Sequence, residues 1–186
     1  MTTTVPAADV ASSLRRLYFV RFAFAVVWAA LVFATGSSLG VAGVALLVLY
    51  PVFDVVAAVV DVRSSKAAQS VSVLYVNIAI SLLAAVGLAV VGSSGIAGVL
   101  RVWGSWAVVA GVVQLVVGLR RRGLGGQWPM ILSGGISVLA GGSFILQATK
   151  DGASLTNLAG YATLGGIFFL VSALRLGRAR RNTVVA

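Results

Sequence analysis

Long apolar runs, separated by short polar or basic segments, repeat six times along the chain. Each run approaches the about 20 residues that an α-helix needs to cross roughly 30 Å of hydrocarbon. The period-two alternation that is typical of membrane β-barrel strands is absent from these runs. The predicted spans cover about residues 17–35, 40–62, 70–92, 96–119, 128–148 and 155–176. The pattern therefore predicts an all-α membrane protein with six transmembrane helices.

Basic residues collect on one side of the predicted membrane. The connections after spans one, three and five contain one basic residue, Lys150, which Asp151 offsets. The opposite side carries Arg15, Arg16, Arg63, Lys66, Arg120, Arg121, Arg122, Arg175, Arg178, Arg180 and Arg181. Because Lys and Arg in short loops stay in the cytoplasm, both chain ends are predicted to be cytoplasmic. We expect a disordered tail over 1–13, a transmembrane domain over 14–177 and a basic tail over 178–186.

The spans group into three consecutive hairpins with weak internal similarity. Residues 17–24 (LYFVRFAF) resemble residues 74–81 (LYVNIAIS), and the first two hairpins both turn at GSS, residues 36–38 and 92–94. One polar residue also falls at an equivalent place near the basic end of each even-numbered span: Asp61, Gln114 and Ser172. We therefore predict three parallel copies of an αα-hairpin, which weighs against the inverted repeats of many transporters.

Composition excludes several kinds of site. The chain has no His and no Cys, so it cannot form a disulfide, a Cys/His zinc site, a thiol nucleophile or a Ser-His-Asp triad. Its four acidic residues are scattered and do not suggest a carboxylate metal cage. No cofactor and no enzymatic activity are predicted. The net charge of +10 lies at the ends of apolar runs, which favours a membrane rim over a nucleic-acid-binding surface.

Polar residues within the spans fall on the stripes of small residues through which membrane helices pack. Two such stripes are Asn77, Ser81 and Ala85 on span three, and Gly104, Ala107, Gly111, Gln114 and Gly118 on span four. The predicted intramembrane polar cluster consists of Arg21, Asp54, Asn77, Gln114, Ser133 and Ser172. An unpaired charge at the centre of a membrane helix costs about 2.5–3.5 kcal/mol, so we expect Arg21 and Asp54 to pair.

Two interpretations of this cluster stay open. In the first, Arg21 extends to the basic surface while Asn77 and Gln114 only join helices in a packed core. In the second, the cluster handles protons or a solute, with Asp54 as its titratable group at membrane depth. Pro51, three residues before Asp54, can kink span two and free a backbone carbonyl, as in ion sites of transporters and also in inert helices.

The run Arg120, Arg121 and Arg122 is predicted to set the topology and to contact anionic lipid headgroups at the cytoplasmic face. The glycine-rich residues 123–126 follow it. They lack the strand-to-helix context and the lysine of a phosphate-binding loop, so they predict a flexible turn.

Three segments resemble the HdeD-like membrane proteins, a short-repeat family named for a bacterial acid-resistance protein. They are residues 106–122 (WAVVAGVVQLVVGLRRR), 125–142 (GGQWPMILSGGISVLAGG) and 161–176 (YATLGGIFFLVSALRL). The resemblance extends over about residues 14–177. It implies six spans in the bacterial cytoplasmic (inner) membrane and a role in envelope or acid-stress tolerance, and it brings no catalytic motif.

The expected function is therefore that of a non-enzymatic, multi-pass bacterial membrane protein of HdeD type. A small channel or transporter for protons or a neutral solute is one alternative. A scaffold or accessory subunit, acting as a homo-oligomer or with a membrane partner, is another. The lipid bilayer is an expected partner, and nucleic acid is not.

Overall fold

Six long helices make up most of the protein. The structure, a computed structural model, describes residues 7–35, 39–65 and 72–185, and the side chains of residues 10–35, 39–64 and 72–178. The helices are α1 (Ala7–Thr35), α2 (Val41–Ser65), α3 (Ser72–Val91), α4 (Ile96–Arg120), α5 (Trp128–Gln147) and α6 (Thr156–Val185). Single 3-10 turns occupy Gly92–Ser94 before α4 and Arg122–Leu124 after it.

The predicted all-α class and the six helices are confirmed, with differences at the chain ends. α1 begins at Ala7, so residues 7–13 are helical although a disordered tail was expected there. α6 continues to Val185 and includes most of the expected basic tail. Residues 1–6, 36–38, 66–71 and 186 lie outside the described parts, and with them the first GSS turn and Lys66.

Each of the six helices contains a segment long and apolar enough to cross a membrane. Only 28% to 39% of the most apolar window of each segment is buried inside the bundle. Large apolar side chains point outward instead, and Phe33, Leu83 and Leu139 are more than 70% exposed. Such a continuous apolar exterior is favourable in contact with lipid and unfavourable in contact with water. The chain is therefore a multi-pass membrane protein.

The helices form a ring in chain order. Each helix contacts the next one along the chain, and α1 closes the ring against α6. The most extensive contacts join α4 to α5, α1 to α6 and α2 to α3, whereas α5 and α6 make the least extensive contact of any two neighbours. Each predicted hairpin therefore packs more closely against the adjacent hairpins than within itself. That the three hairpins are copies of one unit stays a prediction.

One end of the ring, the basic end, is where α1 begins, where α6 finishes and where the α4–α5 connection crosses. Gly177 makes room for Arg15, whose Nε would lie 2.9 Å from a Cβ at that position. A buried apolar cluster fills this end and consists of Val10, Leu14, Tyr18, Met130, Phe169, Ala173 and Leu176. That the basic end faces the cytoplasm stays a prediction.

Glycines bring the backbones of α4 and α5 into contact. Gly104 opposes Gly141, and Gly111 opposes Gly134. A Cβ on any of the four would lie 2.5–2.8 Å from the carbonyl oxygen of the glycine opposite. This is the close approach that the stripe of small residues on span four predicts, and it maximises van der Waals contact where lipid offers no hydrophobic drive. We call this contact the glycine seam.

Aromatic rings fill the half of the ring that lies away from the basic end. Trp28, Tyr50, Trp103 and Trp106 pack with ring centroids 4.7–5.9 Å apart. The Trp28 indole N–H donates to the carbonyl oxygen of Leu46 at 2.6 Å. In a regular helix the Leu46 carbonyl accepts from the Tyr50 N–H, whereas Pro51, which lacks an N–H, leaves the Leu47 carbonyl without its helical donor. Tyr50 and Trp106 of this cluster also line an internal cavity that extends to Asp61 and Arg121 at the basic end.

The glycine seam predicts opposite outcomes for two adjacent substitutions on α5. Gly134→Ala places a Cβ 2.8 Å from the Gly111 carbonyl oxygen, whereas a Cβ at Gly135 meets nothing within 4 Å. Overpacking of this kind costs about 1–3 kcal/mol, so Gly134→Ala should lower the unfolding midpoint in detergent. Gly135→Ala is the matched control, because both substitutions change the unfolded chain equally. Equal midpoints for the two variants would contradict the seam.

Candidate functional site

A cavity of about 120 Å³ lies inside the ring, between the aromatic cluster and the basic end. Side chains from all six helices line it. Its four charged residues are Arg21, Asp54, Asp61 and Arg121, and they form two ion pairs at different depths. Asp54 and Asp61 are seven residues apart on α2, so the two pairs are separated by roughly 10 Å along the membrane normal.

The deeper pair is the centre of a polar cluster built by four helices. Arg21 Nη1 of α1 lies 2.9 Å from Asp54 Oδ1 of α2. Asn77 and Ser81 of α3 both donate to Asp54 Oδ2, at 2.6 and 2.9 Å. The Trp106 indole N–H of α4 donates to the Ser81 hydroxyl at 3.0 Å. We call these five residues the deep cluster.

The geometry of the deep cluster follows from helical spacing. Asn77 and Ser81 are four residues apart, so they lie one above the other on the same face of α3. Arg21 reaches Asp54 from α1 and lies over the Phe169 ring of α6, 5.1 Å from its centroid. Charge-assisted hydrogen bonds are roughly twice as strong as neutral ones, and both Asp54 oxygens receive them. The carboxylate is therefore held from three sides within the membrane.

The second pair closes the basic end. Arg121 donates from Nη1 and Nη2 to the two carboxylate oxygens of Asp61, each at 2.8 Å. Arg121 follows the last residue of α4 and is only 3% exposed, because its side chain turns back into the ring. Burial lowers the pKa of Arg121, and the hydrogen bond and negative charge of Asp61, with a smaller contribution from Tyr18, raise it by more. The guanidinium therefore stays charged.

The loop after Arg121 completes this closure. Gly125 and Gly126 have φ values of +73° and +67°, in the left-handed region that favours glycine. The turn directs Gln127 inward, where it is 2% exposed. Its amide donates to the Gly125 carbonyl oxygen at 3.1 Å and accepts from the Tyr18 hydroxyl at 3.5 Å. The glycine-rich residues 123–126, predicted as a flexible turn, thus shape a lid over the cavity.

The structure brings only part of the predicted cluster together. Arg21, Asp54 and Asn77 meet directly. Gln114 and Ser133 line the same cavity without touching Asp54, and Gln114 Nε2 donates to the Met130 carbonyl oxygen at 3.0 Å. Ser172 is fully buried outside the cavity lining, and its hydroxyl has no hydrogen-bond partner in the described chain.

Two members of the deep cluster, Ser81 and Trp106, were missed as site residues. Ser81 was predicted only as a packing residue, although its four-residue spacing from Asn77 was a usable signal. Trp106 gave no signal, since a tryptophan near the outer end of a span is typical of the membrane interface. Its indole instead points inward, where the N–H has a partner.

The three consecutive arginines play different parts. Arg120 and Arg122 are exposed, as expected for a membrane rim. Arg121 corrects the prediction, because its guanidinium is bound to Asp61 and is not available to lipid headgroups. Asp61 and Gln114, which the repeat places at equivalent positions, make different contacts. Asp61 binds Arg121, whereas Gln114 donates to the backbone carbonyl of Met130.

The four charged side chains of the cavity carry no net charge together. Each carboxylate in the cavity is balanced by one arginine. Protonation of Asp54 would remove its charge and leave Arg21 unbalanced at membrane depth, which is unfavourable. Arg21 and Asp54 therefore depend on each other for charge balance inside the bundle.

The pairing of Arg21 with Asp54 can be tested by a double-mutant cycle. Arg21→Gln and Asp54→Asn should each destabilise the protein by about 3 kcal/mol, because each leaves one buried charge unpaired. The double variant removes both charges, so its loss of stability should be smaller than the sum of the two single losses by about 2 kcal/mol. Unfolding by denaturing detergent measures all four proteins. Additive losses would show that the two side chains do not interact.

The arginine run supplies three matched variants that each remove one positive charge. Arg121→Gln should cost about 3 kcal/mol, because it leaves the buried Asp61 carboxylate unpaired. Arg120→Gln and Arg122→Gln should change stability by less than about 0.5 kcal/mol, since both side chains are exposed. The measurement is a comparison of the unfolding midpoints of the three variants. Similar losses at all three positions would exclude a special role for Arg121.

Comparisons of the chain with protein-family models, with curated proteins and with solved structures found no match. The resemblance to HdeD-like membrane proteins stays a prediction. The function of the site is therefore argued from its geometry.

Proposed function

We propose that this chain is a non-enzymatic membrane protein whose internal cavity handles protons or a small neutral solute, with Asp54 as the central group. The observation that supports this proposal is a hydrogen-bonded carboxylate facing a cavity inside a ring of six apolar helices. Ionisable groups at membrane depth are costly, and they typically mark ion and proton pathways. A purely structural pair would not need open space beside it.

Buried side chains stand at both ends of the cavity. The aromatic cluster blocks the side away from the basic end, where Trp103 is fully buried. At the basic end, Arg121, Asp61 and Gln127 are each less than 9% exposed. A proton or solute that reaches Asp54 from the basic end therefore has to displace the Asp61–Arg121 pair. Opening of that pair is the first conformational step of the proposed mechanism.

Protonation of Asp54 is the second step. Asp54 faces the guanidinium of Arg21 from α1, the amide of Asn77 and the hydroxyl of Ser81 from α3, and it lies below Tyr50 on its own helix. The neutral acid holds Arg21 less strongly than the carboxylate does. Arg21 then moves toward the basic end, where Asp61 is the next carboxylate along α2. The bundle thereby links proton uptake to a rearrangement of its interior.

The remaining parts of the proposal concern context. We place the protein in the bacterial cytoplasmic membrane, with the basic end in the cytoplasm, on the distribution of its Lys and Arg residues. Arg120 and Arg122 are exposed and would attract anionic lipid headgroups, at about 1 kcal/mol per residue. A role in acid-stress tolerance would follow from proton handling and agrees with the HdeD-like resemblance. The glycine stripes of α4 and α5 are used within the ring, so they do not favour a scaffold.

Proton flux in liposomes tests the proposal. Purified protein is reconstituted around a pH-reporting dye, and a proton gradient is imposed across the membrane. Wild type should dissipate the gradient faster than empty liposomes, and Asp54→Asn should reduce the rate to that of empty liposomes. Asp151→Asn is the matched control, because Asp151 is exposed in the α5–α6 connection, away from the cavity.

The variant Arg21→Gln/Asp54→Asn separates flux from folding. This double variant has no charged side chain in the deep cluster, so it should fold. It also has no titratable group there. We expect it to show the wild-type circular dichroism spectrum and no flux. Wild-type flux in this double variant, or no flux above empty liposomes in wild type, would refute proton handling by Asp54.

A further inference from the structure

One wall of the cavity is thinner than the others, between α5 and α6. These two helices make the least extensive contact of any neighbours in the ring. Leu164 of α6 is 40% exposed and is the most exposed residue of the cavity lining. A Cβ at Gly165, which also lines the cavity, would meet nothing within 4 Å. Ile136 of α5 and Phe168 of α6 are half-buried beside them. These four residues line the cavity where α5 meets α6, and we call this stretch of the wall the cleft.

Two polar groups inside the cavity have unused hydrogen-bonding capacity. Ser133 lines the cavity and is only 8% exposed, and its hydroxyl makes no hydrogen bond within the described residues. Gln114 uses its Nε2 to bind the Met130 carbonyl oxygen, while its Oε1 accepts nothing from the described chain. Met130 and Ser133 are one helical turn apart, so both groups lie in the same region of the wall. Neither oxygen is among the described buried atoms that lack a partner, which are Trp103 Nε1 and Ser172 Oγ, so a ligand in the cavity can reach both and bind them.

The charges and rings of the cavity restrict what such a ligand can be. Both carboxylates already bind an arginine, so an ion entering the cavity would have no free counter-charge. Seven aromatic side chains supply about half of the apolar lining: Tyr18, Tyr50, Phe53, Trp106, Tyr161, Phe168 and Phe169. The cavity of about 120 Å³ is near the size of an engineered cavity of about 150 Å³ that binds benzene. These properties suit one uncharged ring with a hydrogen-bond donor.

We propose that the cavity binds a small, uncharged aromatic molecule with one hydrogen-bond donor, of the phenol class, which enters from the bilayer between α5 and α6. The donor binds Gln114 Oε1, and the ligand oxygen accepts from the Ser133 hydroxyl. The ring lies against Phe168 and Phe169. This inference rests on the proposed function, because it names the class of the neutral solute, and it adds a route from the lipid.

Binding is measured by fluorine NMR with the protein in lipid nanodiscs. The probe is fluorophenol, compared with fluorobenzene, which lacks the donor, and with fluorobenzylammonium, which is charged. Empty nanodiscs report the partitioning of each probe into lipid. We expect saturable binding of fluorophenol above that background, weaker binding of fluorobenzene and none of the cation. Equal affinity for fluorobenzene would overturn the assignment of the hydrogen-bond donor.

Ser133→Ala tests the polar contact. Loss of one neutral hydrogen bond should weaken fluorophenol binding about fivefold and leave fluorobenzene binding unchanged. Ser143→Ala is the matched control, because Ser143 lies on the same helix with an exposed side chain outside the cavity. An unchanged fluorophenol affinity in Ser133→Ala would overturn the role of Ser133.

Gly165→Leu tests the entrance. Its side chain would occupy the open space of the cleft and should slow the exchange of bound fluorophenol at least tenfold, without unfolding the protein. Gly160→Leu is the control, since Gly160 is exposed on the same helix, has equal room for a side chain and does not line the cavity. Equal exchange rates in the two variants would place the entrance elsewhere.

The proton-flux assay distinguishes failure of this inference from failure of the proposed function. If Asp54-dependent proton flux occurs and fluorophenol does not bind above the lipid background, the phenol-class ligand is wrong and the proton-handling function stands. If fluorophenol binds as expected and no flux occurs, the cavity is a binding site without proton movement. Absence of both flux and binding would overturn both proposals.

Discussion

The fold depends on one requirement, that the Asp54 carboxylate be compensated inside an apolar bundle. Arg21 supplies the opposite charge from α1, and Asn77 and Ser81 supply donors from α3. Trp106 extends the same network to α4. Four of the six helices are thereby fixed in register by interactions that lipid cannot replace, since the bilayer core offers no hydrogen-bonding partners. Apolar packing alone would allow the helices to slide or rotate against one another.

The elements and the deep ion pair were predictable because they depend on local properties. Apolar length fixes the spans, and the cost of a lone charge in lipid predicts that Arg21 and Asp54 pair. The direction of Arg121 was not predictable, because a rim arginine and a buried one look the same in sequence. Its inward turn depends on Asp61, sixty residues earlier along the chain. Ser172 illustrates the reverse case, a polar residue that is buried without joining the site.

The ring combines a tight side and a loose side. At the glycine seam, α4 and α5 approach so closely that no side chain separates Gly104 from Gly141. On its other side, α5 has its least extensive contact, with α6. A helix anchored firmly on one side and weakly on the other can admit motion along a single edge. Ser133 of α5 lines the cavity that lies between these two sides.

Closure of the ring by α1 and α6 has a consequence for biosynthesis. α1 is translated and inserted before the other five helices, yet its largest contact surface belongs to α6, which emerges after the other four. Arg21 can be paired with a carboxylate early, because its partner Asp54 is on α2, the next helix to be inserted. Electrostatic neutralisation can therefore precede tertiary assembly by four helices. During that interval the nascent protein consists of inserted helices in which one ion pair has formed and the contact between α1 and α6 has not.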